Sequence, residues 1–453
     1  MNTEIMNTDI STPLITYLKQ LETQGITDIE VICDKLYEQL SCQIELGLYS
    51  NDRYIQFGSD TQGTVVSDSS NSKVECILWC INHYLGLNRN QNVINKVCEA
   101  VKKFGTGSGT SAVSGGMSSL HKEVELKIKN LVGKESVILF PTGYSANLGI
   151  LSTLPGKNDL ILFDRESHAS LIDGIKLSGK KWIPFKHNNV EDLSSKLEKY
   201  SPKFENIFVV VESAYSMSGD ISPLKEIINL KQKYKFLLYV DEAHTFGIYG
   251  KNGAGYCSEL GIVEQVDFIV ATLSKATASI GGFLATKSKY MPLLKWRANS
   301  YVFQACLTPS DAAAILASLE EIENNPQIIE ELHRNNQYMR QRLTSIGFNL
   351  GTSQSPIIPI FMPDEAKLMS LNKELFARGI FSVSLFYPIV KPKEGRIRFI
   401  LSASHTKEQI DKTVNALQEL SIKYNIIPPS PLAEWQDDVY YWTSVPESNL
   451  VES

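Results

Sequence analysis

The spacing of apolar positions changes character along this chain. From residue 13 to about 48 they recur at helical intervals, Leu14, Tyr17, Leu18 and Leu21, then Val31, Leu36 and Leu40, which predicts an N-terminal helical arm. Residues 50–72 are polar and rich in Asp, Ser and Gly, the composition of a loop or short hairpin. Cys76-Ile77-Leu78-Trp79 reads as a strand, and Asn95 to Lys103 as a helix. From Lys122 the pattern alternates. Helix 124–132 precedes strand 137–140, and strands 160–163, 183–185, 207–211, 236–240 and 268–271 follow. Helices are expected from about Ala146, from about Ala169, over 190–200 and over 224–234. Apolar strands interleaved with helices predict an α/β fold, a mostly parallel sheet covered on both faces. After Pro309 a long amphipathic helix runs through Ala313, Leu316, Leu319 and Ile322 and continues over 328–343. Strand 357–361, helix 366–378, strands 380–383 and 396–401 and helix 406–424 then suggest a small α+β domain. The chain is expected to divide into an N-terminal helical arm and segment (1–90), a large domain (91–330), a small C-terminal domain (331–427) and a tail (428–453).

Ligands of open parallel sheets bind outside the carboxyl ends of the strands. Thr142-Gly143-Tyr144, Glu212-Ser213, Asp241 and Lys275 all stand at such ends. Lys275 lies between an apolar strand and a Gly-rich turn. An ammonium avoids low dielectric unless it is paired or neutralised, and a desolvated lysine attacks carbonyls to begin Schiff-base chemistry. Thr272 and Ser274 flank it with hydroxyls able to hold a phosphate, and Gly143 and Tyr144 open a helix whose first amides bind phosphate without a charged side chain. In Asp241-Glu242-Ala243-His244 the first carboxylate suits a protonated ring nitrogen, making that ring a stronger electron sink. His244, one turn on, reaches for a phenolate oxygen or the lysine, and His168 stands where an imidazole stacks on a planar ring. Arg396 and Arg398 share a face of a late strand; a guanidinium there binds a carboxylate through two bonds. His405 reads equally as a helix-cap neighbour.

Composition narrows the choices. The 453 residues are 43% hydrophobic, enough for a large core and more than one domain. A net charge of -6 without a long basic run makes nucleic acid an unexpected partner. No apolar run approaches the roughly 20 residues of a membrane span, and the polar, acidic start does not read as a signal peptide. Seven dispersed cysteines suggest reduced thiols and a cytoplasmic setting. The run Gly105 to Gly116 invites a dinucleotide reading, but a helix precedes it and the next begins only near His121, so a nicotinamide site is not expected.

Taken together these residues resemble the alpha-oxoamine synthases, fold-type-I pyridoxal-phosphate enzymes that condense an amino acid with an acyl-CoA and release carbon dioxide. The likeness covers roughly residues 75–425. It rests on His-Tyr-Leu-Gly-Leu (83–87), Gly-Thr-Gly-Ser-Gly (105–109), Gly-Tyr-Ser-Ala-Asn (143–147), Ser-His-Ala-Ser (167–170), the run Glu212 to Asp220, Asp-Glu-Ala-His-Thr (241–245), Thr-Leu-Ser-Lys (272–275) and Gly-Arg-Ile-Arg (395–398). The resemblance implies a large domain on a mostly parallel sheet of the seven-stranded type and a small C-terminal domain. It implies pyridoxal 5'-phosphate held covalently by Lys275, with Asp241 on the ring nitrogen, His168 over the ring and His244 on the ring oxygen. The amides of Gly143 and Tyr144, with Thr272 and Ser274, would hold the phosphate, Thr142 and Ser213 would be further cofactor-binding residues, and Arg396 would hold the substrate carboxylate. It further implies a homodimer acting on an amino acid (serine, glycine or alanine) and an acyl-CoA or acyl-carrier protein. The chain departs from the family at Ala112, where an arginine is usual, at Ser218, where Asp is frequent, and at Gln304-Ala305. The run Ala278 to Phe283 looks closer to bacterial serine palmitoyltransferases than to 8-amino-7-oxononanoate synthases. A 2-amino-3-ketobutyrate CoA ligase type of activity and a non-catalytic partner subunit are the competing readings.

Overall fold

The computed structural model describes residues 10–427 apart from Ser69, Asn71 and Pro388. The expected tail from Pro428, with its aromatic residues, lies outside the described residues. The chain forms two compact units, one from the described residues before Asn82 together with those after His333, the other from Asn82–His333. This differs from the expected division, which detached the N-terminal segment from the C-terminal domain. The reason is a sheet, described next, that joins them.

Helices α1 (Leu14–Thr23) and α2 (Ile29–Glu45) lead to three antiparallel strands, β1 (Arg53–Gly58), β2 (Gln62–Ser67) and β3 (Ser72–Leu78). The polar stretch 50–72 is therefore a hairpin extended by a third strand. After α3 (Gln91–Phe104) and α4 (Ser119–Val132) comes the alternating region. Its elements are β4 (Ser136–Phe140), α5 (Gly143–Thr153), β5 (Leu160–Asp164), α6 (Ala169–Ser178), β6 (Lys181–Phe185), α7 (Val190–Tyr200), β7 (Ile207–Glu212) and α8 (Leu224–Asn229). They continue with β8 (Leu237–Asp241), α9 (Tyr256–Glu259), β9 (Phe268–Thr272), β10 (Gly282–Thr286), α10 (Met291–Arg297), α11 (Asn299–Val302) and α12 (Pro309–Asn324). The expected continuous helix after Pro309 breaks near Pro326, which cannot donate to a helical ladder, and α13 (Gln327–Ile346) begins beyond it. The boundary between the two units falls within α13.

The last elements are β11 (Ile357–Phe361), α14 (Glu365–Ala377), β12 (Ile380–Phe381), β13 (Val383–Leu385), β14 (Arg396–Ile400) and α15 (Lys407–Tyr424). Where one strand was expected over 380–383 there are two, in different sheets. β12 pairs with β3, Ile380 opposite Ile77 and Phe381 opposite Leu78, while β13 pairs with β14. Ser382 between them belongs to neither ladder, and its carbonyl accepts from Asn372 Nδ2 at 3.1 Å. His405 is a core residue. Its ring stacks on Trp79 at 4.0 Å, its Nδ1 accepts from the Ser402 amide at 2.9 Å, and burial lowers its pKa to about 3.

The main sheet runs β4-β10-β9-β8-β7-β5-β6. β10 is antiparallel to both neighbours and the other pairings are parallel, so six strands point their carboxyl ends at one edge. Alternation sorts each strand's residues between two cores. Val137, Leu139, Val209, Val211, Val240 and Ile269 pack with Val124 and Ile128 of α4, Leu193 of α7 and Ile315 of α12. Ile138, Phe140, Val210, Tyr239 and Val270 pack with Ile150 of α5, Leu171 of α6 and Leu294 of α10. With both faces covered, the carboxyl edge is where polar side chains leave the strands.

Candidate active site

Five strands deliver residues to that edge. β8 ends in Asp241, β9 in Thr272, β7 in Glu212 and β5 in Asp164, while β4 runs through Pro141 into α5. Asp241 sits two residues after Tyr239, so both side chains leave the same face of β8 toward α5. Asn147 of α5 meets both. Its Nδ2 donates to Asp241 Oδ2 at 2.7 Å, and its Oδ1 accepts from the Tyr239 hydroxyl at 2.6 Å. Asp241 Oδ1 accepts from the Ala243 amide at 2.8 Å. Each oxygen of this buried carboxylate therefore has a donor. Asn147 Nδ2 also donates to Ser170 Oγ at 2.9 Å, and Ser170 Oγ lies 2.8 Å from His168 Nδ1. One buried amide thus joins Asp241 to the residue that caps α6. His168 itself is exposed, takes the Ser170 amide on Nδ1 at 3.2 Å, and stands edge-to-face with Tyr144 at 6.3 Å.

The start of α5 packs closely on β9 and β10. A Cβ on Gly143 would come within 2.7 Å of Thr272 Cβ, and one on Gly282 within 2.6 Å of the Gly143 amide nitrogen. Glycine at both positions lets the helix N-terminus approach the strand end. The amides of Gly143 and Tyr144 precede the first intrahelical bond, from Ala146 to the Thr142 carbonyl at 3.0 Å. Beside them Thr272 Oγ1 lies 2.8 Å from Ser274 Oγ. Helix amides and two hydroxyls at one strand end are the donor set a phosphate takes. The Thr142 side chain has a different task, capping α5 by accepting from the Ser145 amide at 2.9 Å.

Lys275 is half-buried just past this cradle. Its amide carbonyl accepts from Ala278 at 3.0 Å, and Ala278 has φ +50°, a left-handed conformation disfavoured for a residue with a Cβ. That turn brings the chain back into β10. Glu212 lies opposite Asp241 in the β7–β8 register, wholly buried. Burial and the Asp241 carboxylate push its carboxyl well above the usual range, while the His168 amide and Lys275 pull the other way.

His244 is buried, with Nδ1 2.6 Å from the Tyr84 hydroxyl. Ser213 is fully buried, its amide and hydroxyl bonded to the Asp241 carbonyl at 2.8 and 3.1 Å and its hydroxyl 2.7 Å from Thr245 Oγ1. These bonds support the backbone under Asp241. Arg396, in the other unit, is buried on β14, lies 4.4 Å over the Phe361 ring and pairs with Glu394 at 2.9 Å. Sequence reasoning assigned no role to Asn147 or Tyr84, although both lie in motifs it singled out. Asn147 stands four residues after Gly143, one turn along the same helix face, and that spacing is the signal that could have found it.

The aminotransferase class I and II family matches residues 74–417. Serine palmitoyltransferase of Sphingobacterium spiritivorum is 39% identical over 371 residues, covering 82% of this chain and 91% of that protein. An 8-amino-7-oxononanoate synthase of Thermoanaerobacter pseudethanolicus is 33% identical over 353 residues, covering 78% and 89%. Among solved structures, Sphingomonas wittichii serine palmitoyltransferase superposes with a TM-score of 0.83 at 31% identity, covering 89% of this chain and all of that one. A serine palmitoyltransferase structure with pyridoxal phosphate as internal aldimine gives a TM-score of 0.83 at 30% identity.

Proposed function

The chain belongs to the aminotransferase class I and II family, among the alpha-oxoamine synthases, and from that premise we propose that it condenses L-serine with a long-chain acyl-CoA, releasing carbon dioxide and an aminoketone. Its cofactor is pyridoxal phosphate. The observation that carries the reading is the convergence at one sheet edge of Lys275, a carboxylate held at both oxygens, and a phosphate cradle. These residues fit the group: the close approach of Gly143 to Thr272 brings amides and hydroxyls together at the end of β9, the strand that neighbours β8 and its Asp241. Bound there, pyridoxal phosphate supplies an electron sink for a carbanion at the amino acid's α-carbon.

Lys275 anchors the cofactor and afterwards moves the substrate α-proton. Asp241, oriented by Asn147 and the Ala243 amide, would pair with the ring nitrogen. His168 would cover the ring, and His244, hydrogen-bonded to the Tyr84 hydroxyl, would bond the ring oxygen. Gly143, Tyr144, Thr272 and Ser274 hold the phosphate. Arg396 takes the substrate carboxylate, which displaces Glu394 from its guanidinium. The choice of serine follows the relatives' names and the run Ala278 to Phe283. We further propose a homodimer in the cytoplasm; seven free thiols accord with that compartment, and no described helix is long and apolar enough to cross a membrane. Measuring CoA release across a panel of amino acids and acyl-CoAs tests the assignment. A maximum with serine supports it, and a maximum with alanine or glycine moves the chain to another activity of the family.

Two substitutions test the supporting structure. Gly143→Ala forces its methyl against Thr272, and overpacking of this kind costs roughly 1–3 kcal/mol. Titration with pyridoxal phosphate should show affinity about tenfold weaker, and the melting temperature should fall by a few degrees. Unaltered affinity would remove the α5 terminus from the phosphate site. Asn147→Leu takes a donor from Asp241, a bond to a charged group worth roughly 1.5–3 kcal/mol. Turnover should fall about tenfold or more, and wild-type turnover would show that Asp241 does not depend on it.

A further inference from the structure

His187, just past β6, lies outside this set of residues, yet it is built into the same edge. Its Nδ1 is 2.8 Å from Asp164 Oδ1 and its Nε2 2.7 Å from Asp220 Oδ2. Glu166 Oε2 stands 3.8 Å from Nε2. The imidazole is 15% exposed, and the Asp164 and Asp220 side chains 1% and 7%. Tyr215 closes the pocket edge-to-face at 4.5 Å. Each ring nitrogen faces a carboxylate oxygen, so both carry protons and the ring is an imidazolium. Burial alone would lower its pKa; the Asp164 charge and bonds from both carboxylates raise it to about 11.

The two carboxylates belong to different loops. Asp164 ends β5, and its Oδ1 also accepts from the Glu166 amide at 2.8 Å, shaping the turn into His168. The Ser167 amide bonds back to the Asp164 carbonyl at 3.0 Å. Asp220 closes the loop after β7, where the Tyr215 amide donates to the Asp220 carbonyl at 3.0 Å. Asn188 spans the same pair, its amide on Asp164 Oδ2 at 2.8 Å and its Nδ2 on Asp220 Oδ2 at 2.9 Å. The His168 amide meanwhile donates to the Glu212 carboxyl at the head of that second loop.

We propose that His187 is a positioning residue: its ring clamps the 164–168 turn to the 212–220 loop and thereby fixes the height of His168 above the carboxyl edge. The functional weight of this clamp rests on the role proposed for His168 over the cofactor; the clamp itself does not. Without the cation, two buried carboxylates would face each other with no countercharge between them, which is strongly unfavourable, and the turn would move.

Hydrogen exchange on the full-length holoenzyme tests it. In His187→Gln, peptides covering 164–170 and 212–220 should exchange about tenfold faster, while strands β8 and β9 keep their protection. The visible circular dichroism of the bound cofactor should change, and kcat should fall by on the order of tenfold with little change in amino-acid KM. Unchanged exchange over 164–170, or faster exchange throughout the chain, overturns the proposal. Should His187→Gln fail to fold, Asp220→Asn removes one jaw of the clamp and must loosen the same two segments. His168→Ala, measured alongside, separates the two claims. If it leaves the visible spectrum and kcat unchanged, the reading of His168 fails, while the exchange result still decides the clamp.

Discussion

Lys275→Ala is expected to abolish turnover and the visible band of the covalently held cofactor while leaving the fold intact. The lysine stands just past the carboxyl end of β9, after Thr272 and Ser274, and β9 neighbours β8 and its Asp241. An amine in that setting is both the nucleophile toward an aldehyde and the nearest base for the proton on a bound amino acid's α-carbon. Losing it removes two functions at once, so the defect falls on kcat more than on substrate binding. Alanine at a half-buried turn position costs little stability, since the turn is closed by backbone bonds such as Ala278 N–H to the Lys275 carbonyl. Borohydride reduction is the check. A reducible adduct surviving in the variant would mean another lysine is the anchor. Buried Lys134 is a poor rival, because the Val263 and Val266 carbonyls hold its ammonium at 2.6 Å.

Asp241→Asn should keep part of the cofactor but lose turnover by on the order of 10²-fold or more. The carboxylate accepts from Asn147 Nδ2 and from the Ala243 amide, one on each oxygen. An asparagine can accept on one side only, so its NH2 must face one of those donors, leaving a buried clash of donors. It also carries no charge to hold a proton on the ring nitrogen. Both effects point the same way, and they exceed the loss expected for Asn147→Leu, which leaves the charge in place. Turnover near wild type would remove Asp241 from this role.

The strands of the large sheet were legible because they are continuous apolar runs, and the site because chemistry-bearing residues stand where those runs stop. Lys275 and Asp241 need no partner to be noticed. Asn147 does: its spacing from Gly143 places it on the right helix face, but its partners appear only when β8 brings Tyr239 and Asp241 beneath it. Tyr84 and His244 are 160 residues apart, and His187 draws its jaws from positions 23 residues before and 33 after it. Such pairings follow from sheet order, which local periodicity does not encode. The same limit hid the pairing of β3 with β12 and so misplaced the N-terminal segment. The bonds of Ser213 and Thr142 were equally hidden: their hydroxyls stand at strand ends, one on the Asp241 carbonyl and one capping α5.

The most direct test of the proposed reaction follows three products from one incubation. Enzyme, L-serine deuterated at Cα and a long-chain acyl-CoA are mixed, and solvent deuterium, free thiol and carbon dioxide are measured together. Lys275 and Asp241, placed as they are, should give deuterium loss with thiol and carbon dioxide released in equal amounts. Transfer of the amino group to a keto acid with no carbon dioxide evolved would make the chain an aminotransferase and contradict the proposal.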